Sequence, residues 1–290
     1  MRLHRVVLVL LCSAAACGRR AHESRDAFRW QEEIPPGSTL HLATVTGGID
    51  VVPAEGRSAS VAGSTRWVGR RDPVHFAWRR DGSDVYVCAL WTTGGDCSDE
   101  HGGRFGGSDH SWLDIFSLFK RRSTNIVASL RVTLPPGVKV DAHIMNGTIS
   151  MRGATAGVSA RVLNGSITIE KSAGPIEAKG TNGSIEVALD SLAPDDPVSL
   201  QSVNGSMTAV LPSNLEGEVQ LSTVNGSVTS DFPITASGEI NNHHLRGQIG
   251  RSSREVRLKT VNGDVSLLKQ QGEASRGEST PSDRARRTKS

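Results

Sequence analysis

Aromatic residues make up only 4% of the 290-residue chain, and no apolar run approaches the roughly 18 residues that a membrane-spanning helix needs. The first scarcity argues against cores built on a few large rings, and the second excludes a transmembrane helix. No Ser-His-Asp or Cys-His signature is visible, and acids such as Glu170, Glu177 and Glu186 stand singly, so catalytic machinery is not expected. Glycine, by contrast, is plentiful at 31 residues, beside an ordinary apolar fraction of 37%. That balance suits many short strands joined by turns. The length exceeds a typical single domain, but elongated repeat folds add length without adding domains, so one main body is expected.

The first residues run basic, apolar, then small. Arg2, His4 and Arg5 precede Val6 to Leu11, and Ala14-Ala15-Ala16 stand before Cys17. This is the pattern of an export signal. Ala14-x-Ala16 suits an ordinary signal peptidase, while Ala-Ala-Cys resembles a bacterial lipobox with alanine in place of the usual leucine. Cysteine arithmetic bears on the choice. Cys12 leaves with the signal, and Cys88 and Cys97 can pair in an oxidising compartment, which strands Cys17 as an odd exposed thiol. Lipidation of Cys17 removes that liability and would tether the chain to a membrane.

The formal net charge is +3, placed unevenly. Arg19-Arg20 follows the cleavage site, and Arg284, Arg286, Arg287 and Lys289 crowd the other end, where they would be attracted to an anionic envelope surface. An exported chain of this kind is not expected to bind nucleic acid.

Self-similarity is the strongest signal. Asn-Gly recurs at Asn146-Gly147, Asn164-Gly165, Asn182-Gly183, Asn204-Gly205, Asn225-Gly226 and Asn262-Gly263. The steps are 18, 18, 22, 21 and 37 residues, the last about two periods. Thr46-Gly47-Gly48-Ile49 looks like an earlier, degenerate copy. Two residues past each asparagine sits a small polar or acidic side chain (Thr148, Ser166, Ser184, Ser206, Ser227, Asp264), followed by an apolar one (Ile149, Ile167, Ile185, Met207, Val228, Val265). Flanking residues alternate, as in Val158, Ala160 and Val162 against Ser159 and Arg161, the period of half-buried strands.

Asn and Gly both tolerate positive φ, so the pair makes a sharp reversal or corner. Two architectures use it differently. In a right-handed β-solenoid of about 18–22-residue coils the pair turns a corner within one coil, and stacked asparagines satisfy one another's amides. In an antiparallel β-meander every Asn-Gly is a hairpin turn, with Val162 opposite Ile167. The solenoid is preferred.

These repeats resemble the bacterial DUF4097 family, whose members are described as adhesins from architecture and are related to DUF2807-type head domains that form β-helices. The resemblance rests on Ser222-Thr223-Val224-Asn225-Gly226-Ser227-Val228, Asp231-Phe232-Pro233-Ile234, Leu245-Arg246-Gly247-Gln248-Ile249-Gly250 and Lys259-Thr260-Val261-Asn262-Gly263-Asp264-Val265. Leu134-Pro135-Pro136-Gly137-Val138 matches the family's approach to its first full repeat. It spans about residues 38–268 and implies a β-repeat body with no established catalytic residues, cofactor or metal to carry over. The chain departs from it at His243-His244, read as a surface turn, and in a long insert.

That insert breaks the pattern between residues 91 and 125. A Gly-, Asp-, Ser- and His-rich run is followed by the most hydrophobic stretch of the mature chain, with Trp112, Ile115, Phe116 and Phe119 near helical spacing. These four either close an open solenoid edge or contact a partner or lipid. Asp96, Cys97, Asp99, Glu100, His101, Asp109 and His110 match no zinc or calcium loop, so no metal site is expected. Cys88 and Cys97 are read as a disulfide closing a short loop.

The chain thus divides into a signal peptide (1–16), a tether (17–27), a β-repeat domain (28–268) with its insert (91–125), and a disordered basic tail (269–290) poor in apolar side chains. The expected function is that of a non-catalytic cell-envelope lipoprotein, held to a membrane by its lipid anchor. Its β faces would serve adhesion, binding of an envelope protein or surface polymer, or scaffolding. The alternative is a polysaccharide-active enzyme on a β-helix, which needs paired carboxylates or a metal-assisted base on one face.

Overall fold

The computed structural model describes residues 21–68, 74–91, 97, 126–236 and 241–270. Cys17, Trp112, Ile115, Phe116, Phe119 and residues 271–290 of the basic tail lie outside them, while Lys269, read from the sequence as the first tail residue, ends the last strand. The described residues form strands and turns without a helix. The first strands are β1 (Ala21–Glu33), β2 (Thr39–Pro53), β3 (Ser58–Val68), β4 (His75–Asp81), β5 (Asp84–Leu90), β6 (Ile126–Leu134) and β7 (Lys139–Arg152). Next come β8 (Val158–Asn164), β9 (Ile167–Ser172), β10 (Ile176–Asn182), β11 (Ile185–Leu189), β12 (Val198–Gln201) and β13 (Met207–Leu211). The last are β14 (Gly217–Ser222), β15 (Val228–Ser230), β16 (Thr235–Ala236), β17 (His244–Ile249), β18 (Glu255–Lys259) and β19 (Val265–Lys269).

Equivalent strands of successive repeats lie parallel. Val158 pairs with Val140 and Ile176, and Ile167 pairs with Ile149 and Ile185. Val162 therefore faces Ile144 and Gly180 along the stack, not Ile167 across a hairpin. The meander alternative is excluded, and the chain is a β-solenoid whose two parallel ladders meet at the Asn-Gly corner. A hairpin would have left each repeat with one thin sheet, whereas stacking lets every coil bury its apolar face against the next.

The corner divides its work between the two residues. Only glycine takes the left-handed backbone there, with φ from +131° at Gly183 to +158° at Gly205. Lys171 is the one non-glycine with positive φ among the described residues. A Cβ on Gly165 would sit 1.7 Å from the Gly147 carbonyl oxygen, so close backbone stacking as well as conformation demands glycine. Asparagine keeps ordinary backbone angles, and its side chain joins coil to coil instead. Asn164 donates to Asn146 at 2.9 Å, Asn182 to Asn164 at 2.7 Å, Asn204 to Asn182 at 2.9 Å, Asn262 to Asn204 at 2.7 Å, and Asn225 to Asn262 at 2.7 Å. Every amide donates in the same direction, so each bond polarises the next.

The order of that ladder departs from chain order. The coil containing Asn262 lies between those of Asn204 and Asn225, because β18 pairs with both β12 and β14 and β19 pairs with both β13 and β15. The 37-residue step is thus not two coils. After β15 the chain forms β16 and β17, which run antiparallel and cap β14, and only then returns to insert the last coil. His243 and His244 mark the turn before β17, held by the Asn241 side chain.

Inside, side chains of alternating positions form columns along the stack. Ala142, Ala160 and Ala178 before the corner match the larger Met151, Ile169 and Val187 after it, and the next coil reverses this with Leu200 and Ala209. All eight are buried in one continuous core. Constant coil volume at native packing density explains the exchange.

Large rings would break such columns, and residues 126–231 contain none. They gather at the ends. Phe28 stacks on Phe76 with centroids 5.6 Å apart, Trp30 lies 6.1 Å from Trp78, and Trp67 and Trp91 border a second cluster. Phe232 is buried at the far end. The N-terminal cap corrects one boundary, since β1 begins at Ala21 and takes in residues 21–27, read from the sequence as tether. They pair antiparallel along β3 as far as Ala21 opposite Val68, covering what would be an open sheet edge.

Candidate functional site

The outer face of the ladder before the corner carries a continuous line of polar contacts across six strands. It starts at the bond between Cys88 and Cys97, whose Cα atoms are 5.9 Å apart. The Cys97 carbonyl accepts a hydrogen bond from Arg79 Nε at 3.0 Å, and the Arg79 guanidinium lies 3.9 Å from the Tyr86 ring centroid. On the strand beyond, His41 stacks on Tyr86 at 4.3 Å with only 8° between planes.

Asp141 is the centre of this line. It occupies an outward position of β7, yet only 7% of it is exposed. His41 Nδ1 lies 3.0 Å from its carboxylate, His143 Nε2 lies 3.1 Å from both oxygens, and Arg161 Nη1 donates to it at 3.2 Å. Burial pushes the Asp141 carboxyl up, but the His143 charge and hydrogen bonding by His143, His41 and Ser159 outweigh it and hold the group well below the usual carboxylate range. Arg161 continues the line to Glu177 at 3.2 Å, and Lys179 closes it on Glu177 at 2.5 Å.

Parallel stacking creates this arrangement. Tyr86, His41, Asp141, Ser159 and Glu177 are register partners on β5, β2, β7, β8 and β10, while His143, Arg161 and Lys179 form the next row. The cluster therefore sits on rigid strands rather than loops. Of its members, Arg161, Glu177 and Lys179 stand out in the sequence as outward positions. His41, Asp141 and His143 do not, because 100 residues and the insert separate His41 from Asp141. Aligning the degenerate Thr46-Gly47 copy with Asn146-Gly147 was the available signal, since each of His41 and Asp141 stands five residues before its corner.

The outer face beyond the corner differs in chemistry. Ser150, Thr168, Glu186, Thr208 and Ser266 form a row of hydroxyls interrupted by one carboxylate, and beside it Arg152 and Glu170 make an exposed ion pair of 2.7 Å. Among the described residues, no group of His, Cys, Asp or Glu is placed to hold a metal ion. One half-open cleft of about 210 Å³ lies at the opposite edge, between Leu192, Pro212, Leu215 and Arg254. Arg254 there is taken up by carbonyls, donating to Glu216 at 3.2 Å and Ala193 at 2.5 Å.

Residues 128–268 match the profile of the family described as Toastrack DUF4097. No curated protein matches the chain. A solved structure described as a "putative cell adhesion protein" from Clostridium sporogenes ATCC 15579 is similar over 84% of this chain and 99% of its own, at 12% identity and a TM-score of 0.45. The matched stretch begins in β6 and ends in β19, taking in all six Asn-Gly corners, so the repeat body over residues 128–268 carries the pattern of the Toastrack DUF4097 family.

Proposed function

We propose that the protein is a non-catalytic, exported binding platform of the cell envelope, tethered by lipidated Cys17, with the Asp141-centred face as its recognition surface for a polymer or protein. The observation that carries this reading is the pairing within that face. Asp141 and Glu177 are both engaged by Arg161, and the depressed Asp141 carboxyl stays ionised. A general acid for glycoside hydrolysis needs the opposite, a carboxyl raised toward neutrality beside a second one left free. Charges fixed in advance on stacked strands suit recognition, because little freedom is lost on binding.

The family match over residues 128–268 and the stacked β-repeat body support a platform role. The test is a binding screen of the purified protein against envelope polymers and crosslinked envelope proteins, with Arg161→Glu as the control. A ligand that the wild type retains and the variant loses supports the reading, while turnover of a glycan overturns it. Mass spectrometry of the mature N-terminus tests the tether, since a free Cys17 thiol would end that part of the proposal.

A further inference from the structure

The position just before each corner asparagine forms a row of its own along the stack: Met145, Leu163, Thr181, Val203, Val261 and Val224. Five of the six are apolar, and none is fully buried. Exposure is greatest at one end of the row, 39% at Val203, 36% at Val261 and 63% at Val224, three of the five large hydrophobic residues exposed among those described. At the ~4.8 Å spacing of parallel strands the row is about 24 Å long.

Its neighbour on the same outward face, two residues earlier in each strand, is His143, Arg161, Lys179, Gln201 and Lys259. That row holds no acid. The acids of the face, Asp141, Glu177, Glu218 and Glu255, stand further back from the corner. Along this face, moving back from the corner, apolar side chains come first, cations next, and acids last, while Asp264, just past the corner asparagine Asn262, is engaged by the Ser227 amide and hydroxyl.

From this order we infer that the Asn-Gly corner is a docking edge for an anionic lipid surface. The valines enter the boundary between headgroups and acyl chains, and Lys259, two residues before Val261, meets the headgroup charge, with Lys179 beside it shared between the headgroups and Glu177. Charge complementarity and the apolar row together favour lipid over a soluble polyanion, which would use the cations and gain nothing from exposed valines. The inference does not depend on acylation of Cys17 and concerns a different part of the chain.

The experiment uses the full chain carrying Cys12→Ser and Cys17→Ser, so that no acyl group attaches and every variant shares one N-terminus. Sedimentation with vesicles of phosphatidylcholine and phosphatidylglycerol is compared with phosphatidylcholine alone. The expected result is several-fold stronger partitioning onto the anionic vesicles, falling about tenfold with Val203→Ser, Val224→Ser and Val261→Ser combined, and falling again at raised salt. An environment-sensitive label at Val224→Cys should shift to the blue on these vesicles, and the same label at Thr208→Cys beyond the corner should not. Equal partitioning onto both vesicles, or unchanged partitioning of the triple variant, overturns the proposal. Loss through Lys179→Glu and Lys259→Glu without any loss through the valines assigns the edge to a polyanion instead.

Discussion

The Asn262 side chain donates a hydrogen bond of 2.7 Å to Asn204, although 58 residues separate them, and accepts one from Asn225, which precedes it in the chain. The last coil to be made is thus an interior coil of the stack. Ending the chain after Arg254 removes β18 and β19 and leaves β14 and β15 without their parallel partners. Residues 217–249 are expected to become protease-labile in that truncation, while residues 126–211 keep their protection. Hydrogen exchange resolved by peptide checks this, and continued protection of 217–249 would contradict the stacking order.

Within the same ladder, an interior asparagine makes two amide bonds and a terminal one makes a single bond. Asn182→Ala should cost about 1 kcal/mol, and Asn225→Ala visibly less, since each such bond contributes roughly 0.5–1.5 kcal/mol and these are exposed. Urea midpoints of the two variants decide the order.

The corner glycines should be far less tolerant. Gly165→Ala puts a methyl 1.7 Å from a backbone carbonyl that cannot move without breaking the stack, so a loss of about 3 kcal/mol or more is expected. Gly37→Ala is the comparison, because Gly37 also has positive φ, at +89°, but its Cβ would meet nothing within 4 Å. Its cost should stay near the ~1–2 kcal/mol of the backbone conformation alone. Equal losses in thermal unfolding would mean that φ, not coil spacing, selects glycine.

The distinction also marks how far the sequence could be read. Six Asn-Gly copies with alternating flanks expose the repeat, its coil length and the stacked amides, because each follows from local periodicity. Register between distant coils is not local. Nothing near Asn225 or Asn262 states which is outermost, since β14, β15 and β18, β19 carry the same pattern and only the β16–β17 cap determines the swap. The Asp141 cluster was hidden for the same reason, being assembled from β2, β7 and β8 across the insert. Residues 21–27 lack a clear alternation, and their pairing is set by the exposed edge of β3.

Asp141 gives the protein an acid-sensitive point. Its folded carboxyl titrates below the ordinary carboxylate pKa of about 3.9 that it would have unfolded. The unfolded state therefore takes up its proton first on acidification. The stability from this group is complete above that ordinary pKa and is lost as pH falls through the lower folded value. Asp141→Asn should flatten the acid limb of a stability-versus-pH curve and lower stability near neutrality by about 2 kcal/mol, the scale of hydrogen bonds to a charged group. Unchanged acid unfolding in the variant would assign the limb to other carboxylates.

Core columns make a final, two-sided prediction. Ala160 and Ile169 stand symmetrically about the Asn164-Gly165 corner, and both are fully buried. Ala160→Leu alone overfills the coil and should cost about 1–3 kcal/mol. Ile169→Ala alone leaves a cavity and should cost about 2–5 kcal/mol. The pair together reproduces the arrangement that Leu200 and Ala209 already adopt two coils away, so the double variant should be more stable than the sum of the two losses predicts. Rescue will be incomplete, because Ala142 and Ala178 still flank position 160 along the ladder. A double-mutant cycle in urea measures the coupling, and strict additivity would show that the columns on either side of the corner pack independently.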